Sequence, residues 1–359
     1  MKGYKNILIL LILLGTTWPK WLDPTGRRSQ PGSKKGEGGI MSKQLELDQV
    51  GNTPMHRVSS INLNGNTVFA KCEFMNPTGS HKDRTFLYMV NKLESEGKIR
   101  PGMTLVDCST GNGGAALAWV GKKKGYDVKI FMPEGMTDER KAQIYEYGAE
   151  LFETEKSLFL NGAVQAAQDF VRGKDPREIY FLDQGSNLLN KAAWLECGNE
   201  IVRYLESEDV VPDYFVCSIG TGGTFSGISE VLKSRFPNIS TVGIEVDKSA
   251  PLYAKKNNME FTHAPHNMMG LGAGVLSSNT NESVVDNIVI VNGKKSWSRM
   301  KQFIVEENLG IGPTCGANLL VCEELCRMLQ SKVVITLFFD SSWKYKSRWS
   351  GVYPEYSVS

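Results

Sequence analysis

The apolar positions of this chain fall in short continuous runs rather than in long alternating stretches. Thr104–Cys108 (TLVDC), Val128–Met132, Ile179–Asp183, Asp213–Ile219, Thr241–Val246, Ile288–Val291 and Val333–Phe339 are rich in β-branched and aromatic residues and read as strands. They lack the in–out alternation of a strand with one wet face, the pattern expected of strands covered on both sides. Between them the pattern turns helical. Thr137–Tyr147 opens on a threonine N-cap, carries Asp138 and Glu139 in its first turn and is closed by Gly148. Ser296–Glu307 and Gly316–Leu329 read as helices as well. Strands alternating with helices predict βα units in parallel sheets, so the fold class is α/β.

The first forty residues depart from this pattern. Lys2 and Lys5 precede an apolar run from Ile7 to Leu14, which Trp18, Pro19 and Lys20 interrupt. That run falls short of the roughly 18 residues a spanning helix needs. Asp23 to Gly39 is rich in Gly, Pro, Lys and Arg, as a linker would be. Two readings stay open: residues 1–40 are a signal or anchor with its linker, or the native chain starts at Met41. N-terminal sequencing that began at Met41 would exclude the first.

Composition narrows the class. A chain of 359 residues predicts about two domains. Its 41 Lys and Arg against 39 Asp and Glu leave no global basic field, so nucleic acid is not the expected partner. Seven cysteines without a CxxC pair argue against a disulfide scaffold and for reduced thiols, hence a cytoplasmic protein, with export or anchoring through residues 1–20 as the alternative.

Three polar segments carry the candidate chemistry. In Asn76-Pro77-Thr78-Gly79-Ser80-His81-Lys82-Asp83-Arg84 a turn leads into a helix start that holds Lys82. A positive helix end disfavours an ammonium, which suits a lysine that acts as a nucleophile or Schiff-base partner, although a lysine there is ordinarily a solvated charge. Ser109-Thr110-Gly111-Asn112-Gly113-Gly114 follows one strand, and Gly220-Thr221-Gly222-Gly223-Thr224 follows another, each before a helix. Such loops attract anions through backbone N–H groups and the helix dipole, or are simply tight turns. Glu245, 25 residues after Gly220, invites a dinucleotide reading, but Phe225 breaks the required glycine pattern. A lysine, one phosphate cradle and a second anion loop together point to pyridoxal phosphate.

On these residues the chain resembles the cysteine synthase and cystathionine beta-synthase family of fold-type II pyridoxal phosphate enzymes. The matching segments run in family order over about residues 45–349: GNTP (51–54), NPTGSHKDR, STGNGGAALAWVGKKKGY, MPEGMTDERK, the GSN beside Gln184, GTGGTFSG, GLGAG (270–274), GPTCGA (312–317) and DSSWKY (340–345). The resemblance implies two domains, each a mostly parallel twisted sheet flanked by helices. A small domain would span 41–186, with part of 54–75 free to cross over, and a large domain 187–349, leaving 350–359 as a tail. It implies that Lys82 is the Schiff-base lysine and moves the substrate α-proton. Asn112 would bond the cofactor 3′-oxygen, Gly220, Thr221, Gly222, Gly223 and Thr224 the phosphate, and Thr314 the pyridine nitrogen. Thr314 is also readable as a helix N-cap. Ser109, Thr110, Gly111, Gly113 and Gln184 would hold the substrate carboxylate.

The implied reaction is β-replacement, O-acetyl-L-serine and sulfide giving L-cysteine through an aminoacrylate, in a homodimer and with serine acetyltransferase as a partner. The alternatives are a cystathionine beta-synthase-like or other β-replacement with a different nucleophile, a threonine synthase- or dehydratase-like enzyme, and a non-catalytic paralogue. Two departures bear on the substrate. Gly113 stands where cysteine synthases have a threonine, and Ser342 and Trp343 stand where the family often has Gly and an acid. His81 beside Lys82 is similar to tryptophan synthase beta chains, whose phosphate loop differs from GTGGT. Cys322 and Cys326 read as buried thiols, and His263 and His266 as surface or loop-packing residues.

Overall fold

A computed structural model describes residues 46–349; the N-terminal extension and the tail after 349 lie outside the described residues. In chain order the strands are β1 (Met55–Arg57), β2 (Thr67–Lys71), β3 (Thr104–Cys108), β4 (Asp127–Pro133), β5 (Glu150–Thr154), β6 (Ile179–Phe181), β7 (Tyr214–Ser218), β8 (Ser240–Val246), β9 (Asn287–Val291) and β10 (Val333–Leu337). The helices are α1 (Lys82–Ser95), α2 (Asn112–Lys124), α3 (Asp138–Glu146), α4 (Phe159–Val171), α5 (Leu189–Ala192), α6 (Leu195–Ser207), α7 (Gly223–Arg235), α8 (Pro251–Lys256), α9 (Gly293–Glu307), α10 (Pro313–Met328) and α11 (Lys346–Trp349).

Two sheets result. One has four parallel strands in the order β5-β4-β3-β6; the other has six in the order β1-β2-β10-β7-β8-β9, with β1 alone antiparallel to its neighbour. The α/β class expected from the sequence is the class observed. β1 and β2 join the sheet built from β7 to β10 in the second half of the chain, with Ile335 of β10 paired to both Phe69 and Phe215. Trp119, Trp194 and Trp297 are among the largest side chains fully buried between the layers. All strands but β1 run the same way within their sheets. The loops after β3, β6, β7 and β10 therefore leave from carboxyl ends, where open α/β sheets hold their ligands.

A fork of buried charges ties these elements together. Arg84 of α1 donates to Glu73 at 2.7 and 2.9 Å and to Glu200 of α6 at 2.7 and 2.6 Å. Lys71 of β2 reaches Glu200 at 2.7 Å and donates to the Thr53 carbonyl at 2.5 Å. Thr53 and Asn76 complete the shell of Glu73 through their side chains, at 2.6 and 2.8 Å. Buried charges survive only when paired in this way. Burial alone would raise the Glu200 carboxyl, but the hydrogen bonds and charge of Arg84, then of Lys71, bring it from 4.5 down to about 2.

Among the described residues no helix is long and apolar enough to cross a membrane.

Removing one partner of this fork strands the others. Glu200→Ala is expected to destabilise the protein by about 3–5 kcal/mol in urea unfolding. The Glu200 pKa is lower folded than unfolded, so its contribution is complete above pH about 4.5 and is lost as the pH falls toward 2. The variant should lose that component of the acid dependence.

Candidate functional site

Lys82 is the first residue of α1, and the chain around it is held from two sides. The Thr78 backbone N–H and hydroxyl both donate to the Asp83 carboxylate, closing the turn that Pro77 and Gly79 begin. On the other side, His81 N–H donates to the Phe339 carbonyl at 2.8 Å and Ser341 N–H to Gly79 at 3.0 Å, so the turn lies alongside the chain that leaves β10. The His81 ring packs between Trp194 and Phe339, 5.6 and 5.2 Å away centre to centre. Burial, then the neighbouring Lys82 charge, push its pKa well below 6.5, so it is neutral at physiological pH.

The lysine amine is depressed too. Burial brings Lys82 from 10.5 to about 8, against the opposing pull of Asp107. The direction is the one expected from the helix start, with burial as the leading cause. Asp107, at the end of β3, is a buried carboxyl that the sequence pattern did not single out. Burial raises it to about 8 despite hydrogen bonds from the Cys108 and Gln184 N–H groups.

A cavity of about 580 Å³ opens in front of Lys82. Of the residues singled out from the sequence, Lys82, Ser109, Thr110, Asn112, Gly113, Gln184, Gly220, Thr221, Gly222, Thr224 and Thr314 line it. Gly111 and Gly223 do not; they serve as the N-cap of α2 and the first residue of α7. Segments separated by more than two hundred residues thus meet at one place.

The Gly220–Thr224 loop links β7 to α7. Gly222 has φ +80°, and a Cβ there would lie 2.0 Å from Thr280 Oγ1, so only glycine fits this turn. The helix start beyond it presents free N–H groups to the cavity, the geometry that binds a phosphate. Across from it, Thr314 Oγ1 is a buried polar atom without a partner, the arrangement expected where a polar ligand completes the bonding, and Asn112 lines the same cavity with its Nδ2 bonded to Asp340. Lysine, anion cradle and the orphaned Thr314 hydroxyl in one cavity fit pyridoxal phosphate. Thr314 is not a cap, since Gly312 holds that position and the threonine side chain bonds nothing.

The loop after β3 departs from its expected form. Thr110 donates to the Met269 carbonyl at 2.8 Å, bridging the loop to the chain before Gly270. Ser109 Oγ accepts from the Gly111 N–H at 3.0 Å and keeps its own proton free to donate. A Cβ at Gly113 would fall 2.7 Å from Gln184 Nε2, because the glutamine amide occupies that space while donating to the Cys108 carbonyl at 2.8 Å.

Other features resolve differently. Glu245 does not line the cavity in front of Lys82; it accepts the Leu252 and Tyr253 N–H groups at 3.1 and 2.8 Å and so caps the start of α8. This replaces the ribose-binding role that the dinucleotide reading needs. Cys322 and Cys326 are buried, as expected. His263 stacks on Phe159 at 5.7 Å, and His266 bonds the Gly272 carbonyl, both packing the loop beside the cavity.

A family model described as pyridoxal-phosphate dependent enzyme matches residues 46–340. A cysteine synthase of Staphylococcus aureus is 34% identical over 301 residues, 83% of this chain and 94% of that protein. The structure is similar to a cysteine synthase from Entamoeba histolytica, with a TM-score of 0.77 and 26% identity over 91% of this chain and 94% of the other. An O-acetylserine dependent cystathionine beta-synthase from Helicobacter pylori has a TM-score of 0.78 and 27% identity, over 86% and 99%.

The Lys82 amine reacts with an aldehyde only when neutral. The rate at which the apoprotein takes up pyridoxal phosphate should rise with pH and level off above about 8. A rate still climbing toward the ordinary lysine value of 10.5 would contradict the burial argument.

Proposed function

Because the chain belongs to the pyridoxal-phosphate dependent enzyme family, we propose that it makes L-cysteine from O-acetyl-L-serine and sulfide by β-replacement. The observation that carries the reading is the meeting of Lys82, the Ser109–Gly113 loop and the Gly220–Thr224 loop in one cavity, in a chain similar to cysteine synthases. When bound, pyridoxal phosphate supplies an aldehyde for amines and an electron sink for bond changes at the substrate α-carbon.

The chain's own residues do the rest. The N–H groups at the start of α7, with the Thr221 and Thr224 hydroxyls, hold the phosphate. Asn112 serves the cofactor 3′-oxygen and Thr314 the ring nitrogen. A neutral hydroxyl cannot keep that nitrogen protonated, which moderates the sink and favours loss of the β-substituent. Gln184, the Ser109 hydroxyl and backbone N–H groups of the Ser109–Gly113 loop receive the substrate carboxylate.

Lys82 would hold the cofactor through its amine, and that neutral amine would take the substrate α-proton. The Cβ–O bond breaks and acetate leaves with the electron pair. Sulfide then forms the Cβ–S bond, and Lys82 returns the proton to Cα. The Thr110 bond to Met269 and the Ser277 bond to Gly185 tie the two walls of the cavity together.

Similarity to the Helicobacter pylori enzyme favours one second reading: the same donor with a larger thiol as acceptor. The seven free, buried thiols suit a reducing cytoplasm. A homodimer and an association with serine acetyltransferase complete the proposal.

Purified holoenzyme should release acetate from O-acetylserine and form cysteine when sulfide is added. Lys82→Ala should lower the rate by at least about 10³-fold. No acetate release would end this reading, and cystathionine formation from homocysteine outpacing cysteine formation would favour the second. Gly113→Thr, which displaces Gln184, should raise KM for O-acetylserine roughly tenfold with a smaller change in kcat.

A further inference from the structure

Asp340 follows β10 and is buried directly beside the lysine turn, its backbone forming an isolated bridge with Ser80. Three donors converge on its Oδ2: Asn112 Nδ2 at 2.6 Å, the Tyr345 hydroxyl at 2.5 Å and Arg140 Nη2 at 3.3 Å. Its other oxygen bonds nothing and lies 2.1 Å from where a Cβ on Gly312 would stand, two residues before Thr314. The carboxylate therefore sits between Asn112 and the chain that carries Thr314.

Arg140 is fully buried and holds this arrangement from α3. Its guanidinium lies 4.5 Å over the Tyr345 ring, donates to the Tyr345 oxygen at 2.5 Å and reaches the Thr110 carbonyl at 3.1 Å. One guanidinium thus joins the Ser109–Gly113 loop to the carboxylate, and the carboxylate joins it to Asn112. Loss of any donor leaves a charged group buried and less well paired.

The chemistry of the carboxylate sets the direction of the amide. An ionised aspartate only accepts, so it binds the nitrogen end of Asn112, never the carbonyl end. Asn112 Nδ2 carries two protons; Asp340 takes one and leaves the second for an acceptor in the cavity. Without that constraint the amide can turn over and present its oxygen instead, which repels an anionic ring oxygen.

We propose that Asp340, held by Arg140 and Tyr345, is a positioning residue that fixes the Asn112 amide with its nitrogen available to the cofactor 3′-oxygen. This rests on the reading that Asn112 serves that oxygen.

The test is a cycle of Asn112→Ala, Asp340→Asn and the double variant in the full-length protein. Two readouts serve: the dissociation constant for pyridoxal phosphate and the position of the visible band of the holoprotein. Each single variant should weaken cofactor binding roughly tenfold and move the band in the same direction. The double variant should do no more than Asn112→Ala alone, since Asp340 acts through Asn112. Additive effects, or an Asp340→Asn protein with wild-type affinity and band beside a shifted Asn112→Ala, would overturn the proposal. If Asn112→Ala itself changes neither readout, the reading of Asn112 falls and the proposal with it. Should Asp340→Asn fail to fold, Tyr345→Phe removes one donor and keeps the charge. It should give a smaller shift in the same direction that vanishes in the Asn112→Ala background, and a wild-type band in Tyr345→Phe would count against the proposal.

Discussion

Arg84 stands two residues beyond the amine that does the chemistry, and its guanidinium is shared between two buried carboxylates from distant parts of the chain. That fork constrains everything in front of it. Glu73 belongs to the chain leaving β2 and Glu200 to α6, so the start of α1 cannot shift without pulling a charge from its partners. In a dry interior such a move leaves an unpaired ion, which is far costlier than a side-chain rotation. The turn carrying Lys82 is therefore rigid, and a rigid turn allows the amine itself to be short of partners. Its depressed pKa results from burial on that scaffold.

The second constraint is topological. Parallel strands bring their carboxyl ends to one side, and the chain needs only short loops there to gather residues from β3, β6, β7 and β10. Each loop then specialises according to the element it enters. The turn after β7 enters α7 through Gly222, where a side chain is excluded by Thr280, so the backbone itself faces the ligand. The chain after β10 reaches the cavity before its next helical turn begins and supplies Asp340, whose carboxylate gathers donors from both walls. Backbone cradles and a side-chain hub are complementary: the first bind charge wherever glycine permits, and the second orients a particular atom.

Legibility in the sequence tracked burial. β3 was readable residue for residue, and β7 to β10 to within two residues at either end, because buried parallel strands are continuous apolar runs. β5 was not: its Glu150 and Glu153 face outward to Lys129 and Lys141 at the edge of the sheet, and such an edge reads as a loop. β1 has three residues and α6 mixes Glu, Asn and Arg with its apolar face, so neither stands out by composition. In the site, the glycine loops and Lys82 were visible because their chemistry is local. Arg140 and Asp340 were not, being 200 residues apart with no pattern of their own. Both lie in segments that carry the family resemblance, which could have singled them out. Glu245 shows the converse, a spacing that suggests a ligand, already discounted by Phe225, and that serves to cap α8.

The departure at Gly113 obeys the same logic of burial and partners. Taken as a sequence change, it removes a hydroxyl that would hold the substrate carboxylate. In the folded protein the vacated space is not empty, since the Gln184 amide fills it and bonds the Cys108 carbonyl. A threonine and this placement of the glutamine exclude each other, so the two positions act as one unit rather than as a loss beside an unchanged neighbour. Of the two amide protons, one is held by Cys108 and one remains for a carboxylate. On the proposed function, the anion end of the substrate pocket would be built from one side-chain amide, the Ser109 hydroxyl and the backbone. The cofactor end keeps its full set of partners. On the proposed function, selectivity among amino-acid donors would reside where the chain departs from its relatives, and the Lys82 chemistry where it does not.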